Sequence, residues 1–565
     1  MTLDTDFDAI VVGSGISGGW AAKELTEAGL KVLILERGKP LEHGKDYTGE
    51  HTPPWETPFR GKPLRDLYKE EYPIQSTSYA FGERNRHFWN NDKENPYVQN
   101  PDKPFLWNRA DVVGGRSLLW GRQVYRWSDI DFAANKRDGH GIDWPIRYKD
   151  VAPWYSHVEK FIGVTGQAEN LPQLPDSEFL PPMEMNAGEK HLKSAVESSF
   201  PERNVIMGRA AILTQPHNGR GACHYCGPCH QGCSAGAYFS SQSSTLPAAV
   251  KTGNLTLRPN SVVSSLEHDP VSKKISAVNV IDSQTKESMR FTGKLVFLCG
   301  STIGSTQILL NSQSEAYPNG LANQSGALGH YLMDHTNGLG AFGMIPGMMD
   351  RYYSGNRPNN IYIPRFRNLD GQDSDANFVR GYGFQGLAMR GNWSLQQKMI
   401  PGFGAHLKYA LRQPGPWFAA LMGFGETLPQ YKNSMLLHSS KVDRFGIPQV
   451  AFDFEWSENE NKMREDVSKQ SVAMLKAAGG QFIISGQEIE APGGAIHEMG
   501  TARMGHDPSE SVLNAHNQAH NIDNLFVTDG AAMTSSSCVN PSLTYMALTA
   551  RACDYAVKQL RAGTI

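Results

Sequence analysis

The sequence predicts an α/β protein that opens on a Rossmann-like dinucleotide-binding unit and carries a strand-rich region downstream. Three observations lead there. Asp8-Ala9-Ile10-Val11-Val12 is a short apolar run ending at Gly13, as a buried parallel strand does. Gly13, Gly15 and Gly18 stand in G-x-G-x-x-G order, before a helical stretch from Gly19 to Ala28 and a second apolar run, Lys31 to Leu35, closed by Glu36. Between residues 331 and 480 the pattern changes to strand-like runs such as Asn360–Ile363 and Met435–Leu437, with turns such as Asp443–Gly446. That suits a mixed or antiparallel sheet.

Each N-terminal piece has a mechanical reason. Gly13 permits the tight turn, Gly15 lets backbone approach a pyrophosphate, and Gly18 lets helix and strand pack closely. The helix N-terminus offers free N–H groups and a positive dipole end to phosphates. Glu36, about twenty residues further on, stands where a carboxylate accepts bonds from a ribose diol. The bland alternative is a chance glycine run in a loop, and the register of strand, helix, strand and acid argues against it. The fingerprint alone does not choose between NAD and FAD.

A chain of 565 residues has room for two to four domain-sized units, or for one large enzyme with an interleaved second domain. At 39% hydrophobic and 20% charged, it reads as an ordinary globular chain. Lys and Arg number 54 against 57 Asp and Glu, a net charge of −3, so no basic excess exists to neutralise nucleic-acid phosphates. No apolar run approaches the roughly 18 residues of a membrane span. Met1 to Asp8 is acidic where a secretory signal is basic, so the sequence predicts no export signal of its own. Leu171 to Pro182 is proline-rich and reads as a surface connection.

Further segments complete a pattern. Val112 to Gly121 contains the pair Gly114-Gly115 and Ser117, Leu295 to Thr302 reads as a strand running into a helix over Ser305–Leu310, and three motifs follow near the C-terminus. These are His497-Glu498-Met499-Gly500-Thr501, Val527-Thr528-Asp529-Gly530-Ala531 and Asn540-Pro541-Ser542-Leu543-Thr544. Together they resemble the glucose–methanol–choline (GMC) family of flavoprotein oxidoreductases from residue 7 to about residue 560, strongly at both ends and weakly over 40–100 and 331–480.

The resemblance implies a Rossmann-like FAD-binding domain interleaved with a smaller substrate-binding domain on a mixed or antiparallel sheet. The FAD domain would comprise residues 1–40, 105–135, 205–330 and 491–565, and the substrate domain 41–104, 136–204 and 331–490. FAD contacts would fall at Gly13, Gly15, Gly18, Glu36, Gly114, Gly115, Ser117, Val262, Gly300, Asp529, Gly530, Asn540 and Pro541. His497 and Asn540 would form the catalytic pair. Some family members tether FAD through a His directly before the Trp of the paired-glycine segment. Here Leu119 precedes Trp120, so the FAD is expected to be non-covalent.

The pair suits alcohol oxidation, which removes a proton and a hydride from C–OH. The hydride is flavin chemistry. A neutral imidazole suits the proton, and an amide N–H₂ holds the oxygen without competing for it. Asn540 before Pro541 also fits the start of a helix over Ser542–Leu560.

Among seven cysteines, Cys223, Cys226, Cys229 and Cys233 follow C-x₂-C-x₂-C-x₃-C. That is the bacterial ferredoxin spacing with Ser234 in place of the usual Pro. The segment resembles the catalytic subunits of bacterial flavin-dependent sugar dehydrogenases, glucoside 3-dehydrogenases above all. Their three-cysteine pattern falls on Cys223, Cys229 and Cys233 and implies a 3Fe-4S cluster, with Cys226 as a fourth ligand if the cluster is 4Fe-4S. Zinc with His224 or His230, disulfides and free thiols are the alternatives.

A one-electron cluster favours a dehydrogenase over an oxidase, and the resemblance to glucoside 3-dehydrogenases implies oxidation of a secondary hydroxyl of a sugar or glycoside, at C3 with a 3-keto product. Electrons would leave through the cluster to a haem c acceptor. A small partner subunit carrying an export signal would take the chain, folded in the cytoplasm, to the periplasm. The alternative enzyme readings are a C1 or C2 sugar dehydrogenase and an oxygen-using sugar oxidase with structural cysteines. The intact His497 and Asn540 speak against a non-catalytic flavin-binding protein.

Overall fold

The computed structural model describes residues 6–53, 55–61, 64–352, 356–371, 373, 375–391 and 400–565. Met1 to Thr5, which include Asp4 of the acidic N-terminal reading, lie outside the described residues.

The apolar run at the N-terminus forms the strand Asp6–Val12 at the centre of a seven-stranded sheet. It pairs in parallel with Val32–Leu35 on one side and with Ser288–Leu298 on the other. Leu255–Arg258 extends the sheet beyond Val32–Leu35, and Leu525–Val527 pairs in parallel with Ser288–Leu298. Alternate residues explain why these strands are apolar throughout. Ala9, Val11, Ile34 and Phe297 face one buried cluster with Ala21, Leu25 and Ala552, while Ile10, Val12, Leu33 and Leu298 face another. A parallel sheet covered on both faces requires this.

Ser288–Leu298 has a double allegiance. Its second half lies in the parallel sheet, whereas its first half pairs antiparallel with Lys274–Asp282, itself antiparallel to Ser261–Asp269. The helix Ile16–Glu27 packs against Thr245–Lys251 and the long C-terminal helix Ser542–Ala562, which in turn packs on Tyr148–Ile162.

The second unit is a six-stranded antiparallel sheet in the order Gln481–Gly486, Thr336–Ile345, Trp417–Gly425, Tyr382–Arg390, Ile361–Ile363, Ile206–Met207. Ile206–Met207 therefore adds a strand to this sheet from within the 205–330 stretch that the sequence reading places in the FAD domain. One face is covered by the helices Ala187–Ser199 and Glu458–Ala477, whose Leu192, Val196, Met463 and Val467 share a core with Leu339, Phe384 and Leu421. Along Tyr382–Arg390 the period of two sends Phe384 to that core and Gln385 to the opposite face, towards the first unit. A buried Arg380 ties the base of this strand to Glu426 at 2.6 Å and to Asp138 and Asn135. Among the described residues, no helix is long and apolar enough to cross a membrane.

Candidate active site

The glycine fingerprint builds an open cradle. A Cβ added at Gly18 would lie 1.9 Å from the Gly13 carbonyl oxygen, so only glycine lets the helix approach the turn. Gly13 itself has φ +95° and passes close to the Cys299 backbone. At Gly15 an added Cβ would meet nothing within 4 Å, and no side chain caps the helix that starts there. Gly115, with φ +51°, faces the Gly15 Cα across this space.

Glu36 organises the cradle. Its Oε2 accepts from Ser14 N at 2.9 Å and Ser14 Oγ at 2.6 Å, and its Oε1 accepts from Gly38 N at 2.7 Å. Burial pushes its carboxyl up against these bonds, and Asp111 adds repulsion. Ser14 Oγ also accepts from Gly114 N at 2.9 Å, while Ser117 Oγ donates to the Gly114 carbonyl at 2.6 Å. Val262 is buried beside Ser261, whose N–H donates to the Glu36 carbonyl at 2.8 Å. Gly300, Asp529 and Gly530 meet at the far end. Ser305 Oγ accepts from Gly300 N at 3.0 Å and donates to Asp529 Oδ2 at 2.5 Å, and burial pushes Asp529 up to about 6. Leu119 is buried beside Trp120. Uncapped N–H groups, open backbone at Gly15 and a buried acid at the strand end are the donor set that a dinucleotide such as FAD needs. The residues present fit it.

His497 and Asn540 come together from segments 43 positions apart, with Nε2 and Nδ2 separated by 3.1 Å. Both are partly exposed, so the pair opens on the space between the two units. Asn540 precedes Pro541, which caps the C-terminal helix Ser542–Ala562. The loop before His497 is under constraint: Ile496 has φ +61°, a region costly for a β-branched residue. Buried Asp334 holds this loop. Its carboxylate accepts from the backbone N–H of Gly493, Ala495 and His497 at 2.8, 3.3 and 3.0 Å. Burial and the charge of Glu498 push Asp334 up to about 7, against these donors. Glu498 is itself paired through both oxygens with Arg116. Burial, then repulsion from His335 and Arg116, drives His497 well below the usual imidazole range.

Sequence reasoning missed three residues here. His335 is buried with its Nδ1 at 2.9 Å from His497 Nδ1, Asp334 clamps the loop, and Gln385 Nε2 donates to Asn540 Oδ1 at 3.0 Å. Only sheet register and loop closure bring them in, and no local pattern announces either.

The four clustered cysteines behave differently. Cys223, Cys226, Cys229 and Cys233 line a cavity of about 280 Å³ together with Glu50, Ile212 and Tyr238. Yet among the described residues no group of three or more His, Cys, Asp or Glu is placed to hold a metal ion. This overturns the expected 3Fe-4S or 4Fe-4S cluster, and zinc with it. Tyr225 and Gly227, both at positive φ, turn Cys226 out to an exposed position, while Cys223 and Cys233 pack against Met183, Ala210, Ile212 and Tyr238. Burial raises the thiols of Cys223, Cys229 and Cys233, Cys223 to about 11. All seven cysteines are free. An iron–sulfur subunit of the glucoside 3-dehydrogenase kind, with electrons leaving through the cluster, therefore does not hold. The expectations of a haem c acceptor and of periplasmic co-export rest on that cluster.

The GMC oxidoreductase family models match residues 7–337 and 429–549. The chain is 29% identical to the 2-methyl-1,2-propanediol dehydrogenase of Mycolicibacterium austroafricanum, over 98% of this chain and 96% of the relative. It is 26% identical to the fructose dehydrogenase large subunit of Gluconobacter japonicus, over 98% of both chains. A formate oxidase from Aspergillus oryzae superposes with a TM-score of 0.60 over 100% of both chains at 14% identity, a likeness of fold. With a Rossmann-like FAD-binding domain, a smaller antiparallel substrate sheet and family matches over most of its length, the chain belongs to the GMC oxidoreductase family and is an FAD-dependent oxidoreductase of CH–OH groups.

Proposed function

We propose that this enzyme oxidises a hydroxyl-bearing carbon of a sugar, C1 or C2 of the free ring, with the clustered cysteines in a structural role. The observation that carries the reading is the His497 Nε2 to Asn540 Nδ2 approach of 3.1 Å at the open edge of a neutral imidazole. Similarity to a fructose dehydrogenase large subunit supports a sugar, and similarity to a diol dehydrogenase supports a hydroxyl as the reacting group.

A substrate hydroxyl entering between the two side chains accepts a hydrogen bond from Asn540 Nδ2 and donates one to His497 Nε2. Burial disfavours the imidazolium beforehand, so the nitrogen is free to take the hydroxyl proton. Asp334 fixes the height of the His497 backbone through the three N–H bonds described above. Gln385 fixes the Asn540 amide with its N–H₂ towards the substrate. Bound FAD supplies the hydride acceptor.

The test is an anaerobic screen of free sugars, methyl glycosides and diols, followed by flavin absorbance. Bleaching by a free sugar, with a lactone or 2-keto product by NMR, supports the proposal. Turnover of a methyl glycoside at another carbon overturns the position, and no bleaching by any sugar overturns the substrate class. Peroxide formed on admission of air assigns oxygen as acceptor, and its absence assigns another.

A further inference from the structure

The hydrogen bonds around the catalytic pair form one line. Asn360 Nδ2 donates to Gln385 Oε1 at 3.2 Å, and Gln385 Nε2 donates to Asn540 Oδ1 at 3.0 Å. Asn540 Nδ2 lies 3.1 Å from His497 Nε2, His497 Nδ1 lies 2.9 Å from His335 Nδ1, and His335 Nε2 lies 3.1 Å from the Ser536 carbonyl oxygen.

The last member sets the polarity of the rest. A carbonyl oxygen only accepts, so His335 Nε2 carries a proton. His335 is 1% exposed and no carboxylate touches it at hydrogen-bond distance among its described bonds. Its ring is neutral, and its Nδ1 holds a lone pair. His497 Nδ1 must then be the N–H that donates into it. A neutral ring protonated at Nδ1 is bare at Nε2, so Asn540 points an N–H there and turns its oxygen to Gln385. Every donor in the line faces the same way.

We infer that His335 is a positioning residue which selects the His497 tautomer with Nδ1 protonated and Nε2 free, so that the nitrogen facing the substrate is always the base. The inference rests on the catalytic reading of His497 and Asn540. Without an acceptor behind it, the imidazole would divide between tautomers, and the form protonated at Nε2 could not take a hydroxyl proton. Partners that orient a metal-bound His from one layer behind contribute roughly 10- to 100-fold, and the same order is expected for a reacting His held in the same way.

Two variants of the FAD-loaded protein test this. His335→Leu removes the acceptor, while His335→Asn restores an oxygen near the position of Nδ1. Flavin reduction by a bleaching sugar should slow roughly 10- to 100-fold in His335→Leu, with the sugar's apparent Kd changed far less. His335→Asn should recover most of the loss. A second readout needs no turnover. In ¹⁵N-histidine-labelled protein, the His497 ring, assigned by its absence in His497→Ala, should show a protonated Nδ1 and an unprotonated Nε2. His335→Leu should average the two signals, and His335→Asn should restore them. Equal loss of rate in Leu and Asn variants, or an unchanged His497 spectrum in His335→Leu, overturns the relay. If no CH–OH donor bleaches the unmodified protein, the function proposed above falls, and the nitrogen spectra still decide the relay.

Discussion

Two regions of this molecule carry reactive side chains, and they are assembled in opposite ways. The four cysteines stand within eleven residues of sequence and line one cavity, yet among the described residues no three of them are placed to hold a metal ion. Asp334, His335, Gln385, His497 and Asn540 span more than two hundred positions, yet each touches another in the group. Proximity along the chain does not create a site. Sheet register and clamped loops do, because they fix the direction of each side chain as well as its place.

The largest effect that would sharpen this contrast is at His497. His497→Ala should slow flavin reduction by roughly 10²–10⁴, the range of a positioned base, and leave FAD bound. Stopped-flow reduction at the unmodified rate would remove the residue from the chemistry. Next is Asp334→Ala, which leaves three loop N–H groups without their acceptor. The Gly493 N–H is buried and the other two are partly so, and at ~1–3 kcal/mol for a buried group left unpaired stability should fall by about 1–3 kcal/mol, with flavin reduction slowed as well. Thermal and denaturant unfolding measure the first, and an unchanged midpoint would show that the loop stands without its clamp.

The pH response follows from burial. The folded pKa of His497 is depressed, so on acidification the unfolded chain takes up a proton before the folded one. Stability from this group is complete above the usual imidazole value of about 6.5 and declines below it. The base itself stays active further down. The rate of flavin reduction should therefore hold level through about pH 6.5 and fall only below it, whereas a fall centred there would mean a solvated imidazole.

The smallest effect is expected at the cysteines. Cys226→Ser changes an exposed side chain, and stability should stay within about 0.5 kcal/mol. Neither that variant nor treatment with a chelator should alter the rate at which sugar reduces the flavin. A slowed reductive rate in either case would erase the distinction between the two regions.

The N-terminal unit was legible because its physics is local. The strand Asp6–Val12, the helix and Val32–Leu35 fall where the apolar runs and glycines place them. The helix begins at Ile16, three residues earlier than read, because Gly18 and Gly19 sit inside it where close packing admits no Cβ. Ile361–Ile363 and Ser434–Val442 likewise form where the strand-like runs place them. His497 and Asn540 were visible through their motifs. His335 was not, because one histidine after Asp334 has no periodic or spacing signal, and its function depends on a bond to a residue 162 positions away. The cysteine spacing was legible and misleading, since spacing limits how far apart thiols are but not which way the turns at Tyr225 and Gly227 send them.

The seven-stranded sheet also dictates an order of events during synthesis. Asp6–Val12 emerges first, but one of its two neighbours is Ser288–Leu298, and the strand beyond that is Leu525–Val527. At ribosomal speeds of roughly 5–20 residues per second, the first strand waits on the order of a quarter of a minute to a minute for that neighbour. Its Ile10 and Val11 spend that interval without this neighbour, and the helix Ile16–Glu27 waits longer still for the last helix, Ser542–Ala562. Such half-built parallel edges are where nascent chains stick to one another. The yield of this enzyme in a foreign host should therefore follow the supply of chaperones and the speed of translation more closely than the stability of the finished fold.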